Sequence, residues 1–310
     1  MKLTGILALH TAVLAALAAD TCAFELNGVS AKALMAPQAS YAAPVNVVPS
    51  TATEEVACGA IETPVPYKYC ISRTIGSKNT DVLYYMHAGG ENETAWSGGW
   101  RPEIVEVWEK AGVQSPIVIA VSFGQSWLLV EHNSLPDSGL LDIFRDSVMP
   151  QMELLALGRP ASRRLLAGFS MGGLNAAQAL MNLPPTTFAR VGIACPAVLP
   201  LTPWAAQAEI DAFGKYAKTV QNLFMVAKRY VPDESYWNSK ISPGMIAKTH
   251  MGKQTPPTLI IANEGDALFF EGGRLFGEAA VASGAPVTWQ VWPGRHCEFG
   301  SAALAKFLYP

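Results

Sequence analysis

From residue 81 onward, short β-branched apolar runs alternate with longer stretches in which apolar residues recur at helical spacing. The runs at residues 81–86 (DVLYYM), 116–121 (PIVIAV), 164–167 (RLLA), 190–194 (RVGIA), 258–262 (TLIIA) and 287–292 (VTWQVW) are strand candidates. Several are apolar at consecutive positions, the mark of strands covered on both faces. Residues 140–157, 174–181 and 272–283 carry the helical period. This alternation predicts an α/β fold with a mostly parallel central sheet and helices on both faces. A polar stretch with scattered aromatics, residues 202–255, interrupts the pattern. It is expected either to cap the C-terminal edge of the sheet or to be an ordinary surface excursion of helices. Residues 24–60 are rich in Ala, Pro, Val and Ser, with few charges and no sustained period, and read as an N-terminal arm ahead of a catalytic domain at 61–310.

The first 23 residues change the picture of where the protein works. Lys2 precedes an apolar run over residues 3–19, and small residues follow, the pattern of a cleaved secretory signal peptide. A secreted or periplasmic location follows, with no stable membrane insertion once the leader is removed, since no later stretch is long and apolar enough to span. Cleavage near Ala23 leaves Cys58, Cys70, Cys195 and Cys297, an even number that favours disulfides in an exported chain. Cys58 and Cys70 would close a small loop ahead of the main fold. Cys195 and Cys297 pair only if their segments meet; otherwise they are buried thiols. The sequence has no CxxC motif and no Cys/His ligand cluster, so neither a metal nor another cofactor is expected. With 22 Lys and Arg against 25 Asp and Glu in 310 residues, the chain lacks the basic footprint of a nucleic-acid binder.

The chemistry concentrates in Gly168-Phe169-Ser170-Met171-Gly172-Gly173, which follows one strand candidate and opens a small-residue helix. A serine on so sharp a strand-to-helix turn needs small neighbours on both sides, so Ser170 is the candidate nucleophile. A hydroxyl attacks only when a base removes its proton. Of His10, His87, His132, His250 and His296, only His296 follows a late strand near the C-terminus, in Trp292-Pro293-Gly294-Arg295-His296. Asp266, just past Gly265 at the end of the strand candidate at 258–262, is the candidate acid that orients this imidazole, with Glu264 as its competitor. A developing oxyanion needs two donors. Met171 N–H is one, and Gly89 N–H, in the loop Met86-His87-Ala88-Gly89-Gly90, is the other, with Ala88 and Gly90 left open. His87 is expected to fix that loop by hydrogen bonding. Trp96, Trp100 and Trp127 are expected either to wall a substrate pocket or to pack as anchors.

These residues resemble the esterase D family of α/β-hydrolases over about residues 67–308. The resemblance rests on the strand and loop at 82–92 with Trp96, on the helix at 141–157, on the elbow at 168–173, and on the last strand with its histidine at 286–296. Ala88 stands where that family usually has glycine, and Cys297-Glu298-Phe299-Gly300 replaces an aromatic-rich helix start. The resemblance implies ester hydrolysis through an acyl-enzyme, with Ser170, Asp266 and His296 as the triad. Export and exposed aromatics point toward feruloyl or acetyl esters of plant polysaccharide, or related small esters. Acyl transfer, lipase or peptidase activity on the same triad, and a catalytically silent binding protein are the competing readings.

Overall fold

The computed structural model describes residues 46–48, 54–62, 65–124 and 139–310. The segment 1–23, expected to be a leader and containing Cys22, lies outside the described residues, as do Trp127 and His132. Nine strands form one sheet: β1 (Asn46–Val48), β2 (Glu54–Ile61), β3 (Tyr67–Thr74), β4 (Val82–Met86), β5 (Ile117–Ser122), β6 (Arg164–Phe169), β7 (Arg190–Ala194), β8 (Thr258–Asn263) and β9 (Val287–Trp292). Their spatial order is β1-β2-β3-β5-β4-β6-β7-β8-β9. The six apolar runs became β4 to β9, which pair in parallel wherever they are neighbours.

The helices of eight or more residues are α1 (Arg101–Lys110), α2 (Met149–Leu157), α3 (Met171–Asn182), α4 (Ala217–Tyr230), α5 (Pro243–His250), α6 (Phe270–Ala282) and α7 (Ser301–Leu308). A π-helical turn, Phe144–Val148, leads into α2, and another, Trp96–Trp100, leads into α1. Alternate strand residues feed two cores, because successive side chains leave a strand on opposite faces. Tyr84, Leu166, Ile193 and Ile260 pack with residues of α2, α3, α5 and α6. Leu83, Leu165 and Leu259 pack on the other face with Ile104 and Trp108 of α1 and Leu304 of α7. Both faces are covered, hence the unbroken apolar runs.

The arm ends earlier than its composition suggests. Within 24–60, β1 and most of β2 join the sheet through antiparallel pairs, and β3, also missing from the strand candidates, links them to β5. At the start of β2 burial alternates, with Glu55 exposed between buried Glu54 and Val56. The Cys58–Cys70 disulfide is therefore a rung between directly paired residues of β2 and β3 rather than a separate loop.

One buried carboxylate braces the sheet against α2. Glu153 is fully buried and accepts from Arg164 Nε (2.5 Å) and Nη2 (2.8 Å), from the Tyr84 hydroxyl (2.9 Å) and from Ala161 N–H (2.7 Å). Such a charge is tolerable only because both oxygens are engaged by a cation and by neutral donors.

The chain leaves β4 to one side for β5 and returns on the other for β6. At such a reversal the loops diverge beyond the carboxyl ends of the strands and open a crevice, where sites in open α/β sheets form. Ser170 follows β6 directly, and the loop bearing Gly89 follows β4.

Candidate active site

Ser170 adopts φ 54° and ψ −115° between β6 and α3, a backbone state that side chains other than glycine rarely take. Its neighbours make the turn possible. A Cβ on Gly168 would lie 2.0 Å from Gly172 O, and one on Gly172 would lie 2.0 Å from Met86 O. The second contact also seats the β4 loop against the start of α3.

Three side chains from three loops join in one hydrogen-bonded line. His296 Nε2 lies 2.8 Å from Ser170 Oγ, and His296 Nδ1 lies 2.5 Å from Asp266 Oδ2. A carboxylate only accepts, so Nδ1–H donates to Asp266 and Nε2 is left to accept the serine proton. Asp266 Oδ1 accepts from the N–H groups of Leu268 and Phe269, each at 3.1 Å. Burial alone would raise the Asp266 carboxyl. The hydrogen bond and charge of His296, with the two N–H donors, outweigh that and hold it below its ordinary 3.8. Glu264 is exposed, whereas Asp266 is buried and is the one of the two acids bonded to His296.

Met171 is the first residue of α3, so its N–H is among those an α-helix leaves without an intrahelical partner. In the β4 loop, Ala88 N–H donates to Glu91 Oε2 (2.9 Å), which commits one of the alternatives to Gly89. His87 is buried, with Nδ1 2.8 Å from Ala88 O and Nε2 2.9 Å from Ser122 Oγ. Burial lowers its pKa from the ordinary histidine value, favouring the neutral ring. Nδ1–H then donates to the carbonyl, and the ring fastens the loop to β5 as expected.

Neither a protein-family model nor a curated protein sequence matches the chain. Solved structures do. A ferulic acid esterase shares 17% identity at TM-score 0.55, with 83% of this chain and 96% of that one covered. An S-formylglutathione hydrolase from Agrobacterium tumefaciens shares 13% at TM-score 0.60, covering 85% and 96%. Brefeldin A esterase, a bacterial homologue of human hormone sensitive lipase, shares 18% at TM-score 0.58, covering 97% and 81%. The fold is that of the α/β-hydrolases.

Within this fold the tryptophans divide. Trp96 is 2% exposed and packs among Tyr85, Trp108 and the second core, so it anchors the loop and does not wall a pocket. Trp100 is half-buried and stacks on Phe169 (centroids 4.4 Å apart, planes at 8°). Phe299 completes the group at 5.5 Å from each ring. Three loops of the site are thus joined by one aromatic stack.

The insertion at 202–255 packs against the site. Ala227, Val231, Trp237 and Ile241 meet Met171 and Leu174, while Ile210, Val220 and Phe224 meet Leu268. Beside this contact lies an open groove of about 480 Å³, lined by Pro200, Phe213, Tyr216, Ala267 and Leu268 among others.

Sequence reasoning missed Asn263, whose Nδ2 donates to Pro293 O (3.3 Å) and Glu298 O (2.6 Å) and so holds the histidine loop to β8. A polar residue closing an apolar strand was the available signal. It also missed Phe269, whose ring lies 5.1 Å from that of His296. The grouping Cys195, His296 and Cys297 has metal-ligand chemistry, but a disulfide joins Cys195 to Cys297, so it offers no thiolate.

Proposed function

We propose that this protein is a serine carboxylic ester hydrolase working through an acyl-enzyme. The observation that carries the reading is the continuous Ser170–His296–Asp266 hydrogen-bonded line at the strand reversal. Ser170 Oγ attacks the ester carbonyl while His296 Nε2 takes its proton. Asp266 fixes the tautomer and stabilises the imidazolium, and the N–H groups of Met171 and Gly89 receive the oxyanion. His296 then protonates the leaving alcohol. Water, deprotonated by His296, releases the acid and restores Ser170.

The substrate is a feruloyl or acetyl ester of plant polysaccharide, or a related small ester, met outside the cell. The two disulfides agree with an oxidising compartment. The groove with Phe213 and Tyr216 offers aromatic faces to a phenolic acyl group or a sugar ring, as does the part-exposed edge of Trp100. The test is a panel of p-nitrophenyl acetate, p-nitrophenyl butyrate, methyl ferulate and acetylated xylan, beside labelling with a fluorophosphonate probe. Turnover with a single label on the Ser170 peptide supports the reading. An inert, unlabelled protein overturns it in favour of a silent binding fold.

Asp266→Asn provides an independent check. The amide favours the wrong tautomer of His296, and kcat falls by about 10³–10⁴-fold with the fold retained. Because the folded-state pKa of Asp266 is depressed, its stabilisation is complete above pH 3.8 and is lost as the pH falls through the lower, folded value. Urea titrations at descending pH show this decline in wild type and a flatter one in Asp266→Asn.

A further inference from the structure

Three non-glycine residues among those described have left-handed backbone: Ser170 (φ 54°), Cys195 (φ 43°) and Cys297 (φ 61°). All three lie at the site, and backbone strain of this kind persists only where the surroundings enforce it. The two cysteines are bonded across 102 residues, with Cα atoms 5.1 Å apart.

Each end of the bridge meets the catalytic machinery. Cys195 is buried directly after β7, and its N–H donates to Ile261 O (2.8 Å) on β8. The residue before it, Ala194, accepts from Ser170 N–H at 3.2 Å. Cys297 directly follows His296, and an imidazole nitrogen and the two sulfurs lie within 4.8 Å of one another. The remainder of the histidine loop is held separately. Gly265 N–H donates to Gly294 O (2.9 Å), Asn263 reaches Pro293 and Glu298, and Arg295 N–H donates to Glu298 Oε2 (2.8 Å). The Asn263 bonds fix the loop's two ends to β8, the Gly265 bond ties it to the turn after β8, and the Arg295 bond closes the loop on itself. The disulfide is the covalent tie between the backbone beside His296 and the strand that also holds Ser170, alongside the stacking of Phe299 on Phe169.

We propose that Cys195 and Cys297 are positioning residues for the base, their bridge setting the separation between His296 Nε2 and Ser170 Oγ. The inference rests on the reading of Ser170 and His296 as nucleophile and base. A dithiol reagent reverses the bridge in a balanced exchange: one reagent thiolate attacks the part-exposed Cys297 sulfur and expels Cys195 as thiolate. The second reagent thiol then displaces Cys297, leaving two protein thiols and a cyclic reagent disulfide. The folded enzyme loses activity because the backbone beside His296, no longer tied to Cys195, lets the imidazole swing about its bond to Asp266 and off the line to Ser170.

The experiment uses a Cys58→Ser/Cys70→Ser background, so that among the described residues the Cys195–Cys297 bridge is the disulfide that dithiothreitol reduces. Active sites are counted by fluorophosphonate titration, and kcat per site, KM for p-nitrophenyl acetate and thermal unfolding are followed. Reduction is expected to lower kcat per site about 10²-fold, the scale of an ångström-sized misplacement, with KM unchanged and the protein still folded at the assay temperature. Reoxidation restores kcat, and Cys195→Ser/Cys297→Ser fixes the low value permanently. Unchanged kcat per site in reduced, folded protein would overturn the proposal, as would a loss that tracks only the unfolded fraction. Ser170→Ala is assayed alongside. If that variant keeps its activity, the catalytic reading itself fails; if it is inactive while the cysteine variants are not, only the positioning role fails.

Discussion

Ser170→Ala is expected to lower kcat on p-nitrophenyl acetate by about 10⁴–10⁶-fold, with little change in KM. The Cβ position and the strained turn survive the change, because Gly168 and Gly172 still admit the close approaches that shape the elbow. What disappears is the oxygen 2.8 Å from His296 Nε2. Residual turnover reflects the helix N-terminus and the β4 loop acting on the oxyanion without a nucleophile. Steady-state kinetics with circular dichroism of both proteins check this. A variant that retains most of its activity would show that ester cleavage proceeds elsewhere.

Glu153→Ala should be the most damaging stability variant outside the site, costing about 3–5 kcal/mol by the general behaviour of broken buried ion pairs. The loss leaves the Arg164 guanidinium, the Tyr84 hydroxyl and Ala161 N–H without the acceptor they share. Glu153→Gln keeps an acceptor for Tyr84 and is milder. Replacing both charged partners, as in Glu153→Leu/Arg164→Met, costs less than Glu153→Ala, because no charge is stranded. Urea unfolding of the three variants orders them. Equal midpoints for Glu153→Ala and wild type would mean that water or a shifted side chain has taken the carboxylate's place.

The parallel half of the fold was legible in the sequence because burial on both faces leaves unbroken apolar runs, and β4 to β9 carry them. The flanking strands were harder to read because four successive residues of β2, with Gly59 among them, are only half-buried, and Lys68 and Arg73 interrupt the apolar run of β3. Tyr67-Lys68-Tyr69-Cys70, for example, alternates in a way that a short loop also can. Ser170 and His296 were legible because an elbow needs glycine at fixed offsets and the base must follow the last strand. Asp266 was favoured over Glu264 from the turn at Gly265, but the reason that turn holds glycine, a Cβ that would lie 2.5 Å from Gly294 O, is a close approach between distant loops with no local signature. The same holds for Trp96. Its burial depends on Tyr85 and Trp108, which sequence distance does not bring together.

The stack of Trp100, Phe169 and Phe299 bears on how this site could be transplanted. Phe169 precedes Ser170, Phe299 lies three residues beyond His296, and Trp100 closes the segment after the β4 loop. A graft that moved the elbow alone into another scaffold would bring one ring without its two partners and leave an apolar gap beneath the serine. The three segments are therefore one exchangeable part, and a chimera would have to take all of them or none.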